Sequence, residues 1–265
     1  MYNHVAHAPE ETGARLMERT LAFRRDARVE EPGSLKAFRE RWEDRGEVKL
    51  LRDLPSCPFL GFVTVREEGD RPAKVGCLVH PLQNEGIDGR DCGVYDRFIC
   101  EDYLCAAHEV LREVEMDLVI AAVKDSYLYG LVITNPRYVR SLLEIVAERT
   151  GSAPTSRILQ RPEVIEAVGE CFELLRQWPM RAPDGIFGAV EVAGALETRR
   201  RASPWALFGL EKEKVDQLVL ALGTAVETKK EWRGARERVE ERLKRLVEVV
   251  EEAMEARGRE FSAKP

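Results

Sequence analysis

Five of the six cysteines, at positions 57, 77, 92, 100 and 105, fall within one stretch of the chain. The segments read CPFLGF from Cys57, VGCLVHP around Cys77 and DCGVYDRFICEDYLC from Asp91 to Cys105. Thiolates are soft ligands. Four of them, or three with an imidazole, hold zinc in a tetrahedral site, and four also hold an iron–sulfur cluster. Cys57, Cys77, Cys100 and Cys105 are the candidate ligand set, two from a hairpin and two from a helix start. His80, three residues after Cys77, Cys92, and His108, three residues after Cys105, are substitutes. C-x4-C is looser than the paired C-x2-C of common zinc modules. Two other readings stand beside metal binding: free cysteine is often a small core residue, and neighbouring thiols can form a redox pair.

Such a site needs elements that carry distant thiols to one point. Residues 59–65 and 74–79 are rich in strand formers and flank the turn-forming REEGDRPA, which predicts a hairpin. Cys57 precedes its first strand and Cys77 lies in its second. Residues 82–91 read as a loop. A helix is expected from Glu101, with Leu104, Val110, Leu111, Val114, Leu118 and Val119 at helical spacing. Cys100 and Cys105 would bracket its entrance, where free N–H groups favour thiolate.

CPFL, then Cys77 or Cys92 with Tyr95, then the Cys100–Cys105 pair resembles the closing half of the zinc- or iron-chelating domain of bacterial YkgJ-like proteins. The resemblance covers about a fifth of the chain and implies a ligand rather than a reaction. This chain departs from that family in having no cysteine before Cys57. A single four-ligand site is the most that the likeness carries over.

The remainder reads as helix. Helices are predicted over 10–27, over the segment bearing Leu35, Phe38 and Trp42 with Ser34 as cap, from Asn135-Pro136 to Gly151, and from Pro162 through Leu175. Residues 127–134 are ambiguous between strand and helix. Ser203-Pro204 opens a helix whose apolar face runs on through Val215 and Leu222. Arg199, Arg200 and Arg201 read as a solvated helix end, and Cys171 as core. In the last helix, 231–259, Val239, Leu243, Leu246, Val250 and Ala253 alternate four and three apart, a short seam suited to a partner helix or to self-association. GSAPTS at 151–156 is the linker candidate.

With 44% hydrophobic and 33% charged residues, the 265-residue chain supports a sizeable core. A net charge of −6 argues against a protein built to grip a phosphate backbone. The N-terminus lacks the apolar core of a signal peptide. The longest apolar runs, LVIAAV and LYGLVI, are separated by Lys124 and Asp125, well short of the ~18 residues a membrane helix needs. The expectation is a cytoplasmic protein, where clustered thiols bind metal or do redox chemistry rather than form disulfides.

The expected architecture is mainly α, with a small β-hairpin cysteine-rich metal-binding module. Residues 1–151 would form an N-terminal helical region holding the module at 57–105. Residues 152–265 would form a C-terminal helical bundle ending in the long helix. The expected function is metal binding, of zinc or an iron–sulfur cluster, at a structural or sensory site. The alternatives are an enzyme that uses the metal and a helical adaptor whose cysteines only pack.

Overall fold

The computed structural model describes residues 9–43, 48–64, 74–95, 97–102 and 106–262. Its elements in order are α1 (Pro9–Asp26), α2 (Pro32–Trp42), β1 (Leu60–Phe62), β2 (Val75–Cys77), α3 (Arg97–Asp102), α4 (Ala106–Val110), α5 (Glu113–Ala122), α6 (Ser126–Ile133), α7 (Pro136–Arg149), α8 (Ser156–Leu159), α9 (Pro162–Gln177), β3 (Val190–Val192), β4 (Thr198–Arg200), α10 (Pro204–Leu207), α11 (Val215–Ala221) and α12 (Lys229–Ser262). The protein is mainly helical, and the described residues include two short antiparallel strand pairs, β1–β2 and β3–β4. No helix among the described residues is long and apolar enough to cross a membrane.

The chain divides into two compact units. One comprises 1–104 with the short segments 125–127 and 192–198; the other comprises 105–124, 128–191 and 199–265. Packing thus sets the main division well before Gly151. The apolar face of α7 explains this: it is spent on α11 and α12, and α5 packs on α9. Gly151, with φ +76, ends α7 in a left-handed turn, so the linker-like composition there marks a tight helix-to-helix connection.

The first unit is built on aromatic residues. Phe38 stacks on Phe59 with centroids 5.8 Å apart, Phe23 meets Phe38 edge-on at 5.3 Å, and Trp42, Leu35, Val79 and Cys92 close the cluster. The β1–β2 hairpin lies on α1. Thr20 Oγ1 donates to the Leu16 carbonyl at 2.7 Å and accepts from the Phe62 N–H at 2.8 Å. Gly61 lets strand and helix approach, since a Cβ there would run into Thr20 Oγ1 and Leu78.

The second unit is organised on α12. Trp232, Ala235, Val239, Leu243, Leu246, Val250 and Ala253 are buried against α9, α11, α7 and α8. The heptad-like seam that suggested a partner helix is therefore occupied by the chain's own helices. Where α11 meets α12, the fully buried Asp216 accepts hydrogen bonds from Trp232 Nε1 at 3.1 Å, Arg236 Nη2 at 2.7 Å and the Glu213 N–H at 2.8 Å. Gly223 (φ +72) and Gly185 cross backbone to backbone, and a Cβ at Gly223 would overlap the Gly185 carbonyl.

Several local expectations are corrected. The helix expected from Glu101 begins at Arg97 and is interrupted: α4 ends at Val110 and α5 restarts at Glu113. There Glu115, 1% exposed, accepts from the Arg112 N–H and caps α5. Residues 126–133 are helix. The helix opened by Pro204 stops at Leu207, and Gly209 (φ +59) separates it from α11. The basic run is a strand edge rather than a helix end: Arg199 and Arg200 lie in β4, and Arg201 is buried with Nη2 on Asp184 and Nε on the Gly188 carbonyl. The 66–73 turn lies outside the described residues.

Candidate metal centre

Cys57 and Cys77 open the same kind of turn. The Leu60 N–H donates to the Cys57 carbonyl at 3.3 Å, and the His80 N–H to the Cys77 carbonyl at 3.3 Å. In each turn the backbone two residues on, at Phe59 or Val79, opposes the rise in the thiol's pKa. An N–H aimed at sulfur stabilises the thiolate over the thiol. The hairpin register sets the turns side by side: Leu60 faces Cys77 across the strands, and the Leu78 N–H reaches the Phe59 carbonyl at 2.8 Å.

Cys100 is the fourth residue of α3 and is exposed. Two side chains bring this segment to the hairpin. Tyr95 Oη donates to the Pro55 carbonyl at 2.6 Å, two residues before Cys57. On the other side, Arg90 forks onto Asp88 at 2.9 and 2.6 Å and extends Nη2 to Glu101 at 2.9 Å, next to Cys100. The loop bearing Arg90 is stitched to the Cys77 turn by the Gly89 N–H on the Val79 carbonyl, 3.1 Å.

The thiols sense one another. Burial raises Cys57, with Cys100 adding to the effect, against the Phe59 N–H and the Arg19 guanidinium. Burial pushes Cys77 up to about 11, with Cys57 and Cys100 adding and Val79 N–H and Arg90 opposing. Arg19 Nη1 lies 3.3 Å from both the Cys57 and Leu60 carbonyls, the two ends of the first turn. The hydrogen bond from Arg90, more than the other contacts, holds Asp88 down at about 2.

The substitute ligands separate clearly. Cys92 is buried in the aromatic cluster with its thiol 3.9 Å from the Pro32 carbonyl, a packing position. His80 Nδ1 accepts from the Leu82 N–H at 3.1 Å. In the neutral ring this leaves the proton on Nε2, so ligation through either nitrogen costs that bond. His108 is exposed on α4. Cys105 lies outside the described residues. Cys171 is core, as expected: it is 1% exposed, with its thiol 3.8 Å from the Arg242 carbonyl. Among the described residues, no three His, Cys, Asp or Glu side chains are placed to hold a metal ion.

Sequence reading missed Arg19 and Arg90. The signals available were the Asp88-x-Arg90 spacing and the Arg97/Glu101 pair at i, i+4, which closes at 2.9 Å. No protein-family profile, curated protein or solved structure matches the chain.

Proposed function

We propose that this protein binds a thiolate-ligated metal, zinc or an iron–sulfur cluster, through Cys57, Cys77 and Cys100, with Cys105 as the fourth ligand. The site is structural or sensory and works in the reducing cytoplasm. The observation that carries the reading is the pair of matched turns that open at Cys57 and Cys77 and lie side by side across one hairpin, to which Tyr95 and Arg90 tie the segment bearing Cys100. Burial raises both thiols, so a bound cation would replace their protons.

Elemental analysis and the visible spectrum of anaerobically purified protein test this. The expected result is about one zinc per chain, or an iron–sulfur chromophore. Cys100→Ala should abolish retention. Wild-type protein without metal or chromophore, also after reconstitution with zinc or with iron and sulfide, would sink the reading.

The exposure of Cys100 favours as second reading an enzyme whose metal keeps one position for water or substrate. Displacement of a water from the cobalt-substituted protein by a small anion would support it over a closed four-thiolate centre.

A further inference from the structure

We propose that the Arg90–Glu101 ion pair is a positioning device that holds the helix bearing Cys100 against the turns bearing Cys57 and Cys77. This rests on the metal-binding reading above. The helix α3 has six residues, none of them buried; its two large apolar side chains, Phe98 and Ile99, are 71% and 53% exposed. Core burial thus contributes little to α3, and polar ties reach the segment that bears Cys100.

Arg90 is built for that task. Its side chain is 10% exposed, and Asp88, on the same loop, takes two of its donors and fixes the plane of the guanidinium. The remaining reach of Nη2 goes to Glu101 at 2.9 Å, one residue from Cys100. The loop is itself pinned: Gly89 donates to Val79, two residues after Cys77, and a Cβ at Gly89 would press on Leu35 and Val79. Arg97 Nε joins Glu101 from within α3 at 2.9 Å. A run of polar contacts thus leads from the Cys77 turn, through Gly89 and Arg90, to Glu101 beside Cys100. Burying a guanidinium is costly, and no apolar face of α3 is gained by it. What it achieves is a fixed distance between two strands of chain that each carry a thiol.

The test uses full-length protein loaded with zinc. Arg90→Gln and Glu101→Gln are compared with wild type by competition with a chromophoric chelator and by iodoacetamide labelling read by peptide mass. Both variants should bind zinc about 10–100-fold more weakly, the range for losing a residue that orients a ligand. In both, Cys100 should become labelled while Cys57 and Cys77 stay protected. Arg90→Lys, which keeps the charge without the fork, should recover part of the affinity. Glu101→Gln leaves the Arg90–Asp88 fork and its loop intact, so it separates positioning from folding of the loop. Wild-type affinity together with a protected Cys100 in both variants would overturn the positioning role and leave the metal site standing. Wild-type protein that holds no zinc and labels at all three cysteines would overturn the site, and this device with it.

Discussion

Replacing Asp216 by asparagine probes what joins α11 to the long final helix. The carboxylate is fully buried and gathers three donors: Trp232 Nε1, the Glu213 N–H and the Arg236 guanidinium, which contacts it through both Nε and Nη2. Asparagine keeps the volume but removes the charge and turns an amide NH2 toward at least one of those donors. Breaking a buried pair costs about 3–5 kcal/mol because the surviving charge is left uncompensated. Arg236 is 12% exposed and keeps Glu213 and the Glu211 carbonyl as partners, which puts Asp216→Asn at the lower end, about 3 kcal/mol. That corresponds to a fall in Tm of about 6–12 °C for a unit of this size. Urea denaturation followed by tryptophan fluorescence reads it, since Trp178, Trp205 and Trp232 all belong to this unit. The exposed pair Lys214–Glu148, with side chains 64% and 54% accessible, is the internal comparison, and Lys214→Ala should cost less than about 0.5 kcal/mol. In a double-mutant cycle, Arg236→Met should be milder in the Asp216→Asn background than alone by at least about 1 kcal/mol. A loss below about 1 kcal/mol for Asp216→Asn, or strict additivity in the cycle, would refute the reasoning.

Two further outcomes follow from burial and backbone geometry. Gly223→Ala should destabilise the second unit by about 2–4 kcal/mol, combining left-handed strain with overlap on the Gly185 backbone; thermal unfolding close to wild type would mean that the crossing is not as tight as drawn. Burial pushes the Cys171 thiol up to about 12 from an ordinary value of 9.0. A raised acid contributes stability that is complete below the unfolded value and is lost as pH climbs toward the folded one. The stability gap between wild type and Cys171→Ala should therefore narrow between pH 9 and 11, by about 2–3 kcal/mol. The buried Tyr138 hydroxyl is raised first by burial and then by Cys171; it is present in both proteins, so the effect of its burial cancels while that of Cys171 does not. A gap independent of pH in denaturant titrations would count against the buried neutral thiol.

The pattern of apolar residues made α7 and α9 legible, because each buries one continuous stripe at helical spacing. It also placed Cys57 and Cys77 on the hairpin, where strand formers flank a polar turn. Three kinds of feature escaped. The break at Gly209 between α10 and α11 depends on a left-handed backbone, while apolar residues on either side of it read as one face. Arg201 looked solvated because its partner, Asp184, is 17 positions away. The seam of α12 suggested an external partner because spacing alone does not say which helix fills it; the chain fills it with α9, α11 and α7. The placement of Cys100 was hidden for a related reason. The bonds nearest it, from Arg90 to Glu101 and from Tyr95 to the Pro55 carbonyl, carry no periodicity.

The position of α12 in the chain bears on how the second unit is made. Its buried residues run from Trp232 to Ala253, so the parts of α7 and α9 that pack on α12 leave the ribosome uncovered and stay so until synthesis passes residue 253. Folding of that bundle is then a late event, completed only after the helical partners have waited in solvent. A nascent chain stalled before α12 would be expected to recruit chaperones and to yield to protease, whereas one stalled well beyond it would resist.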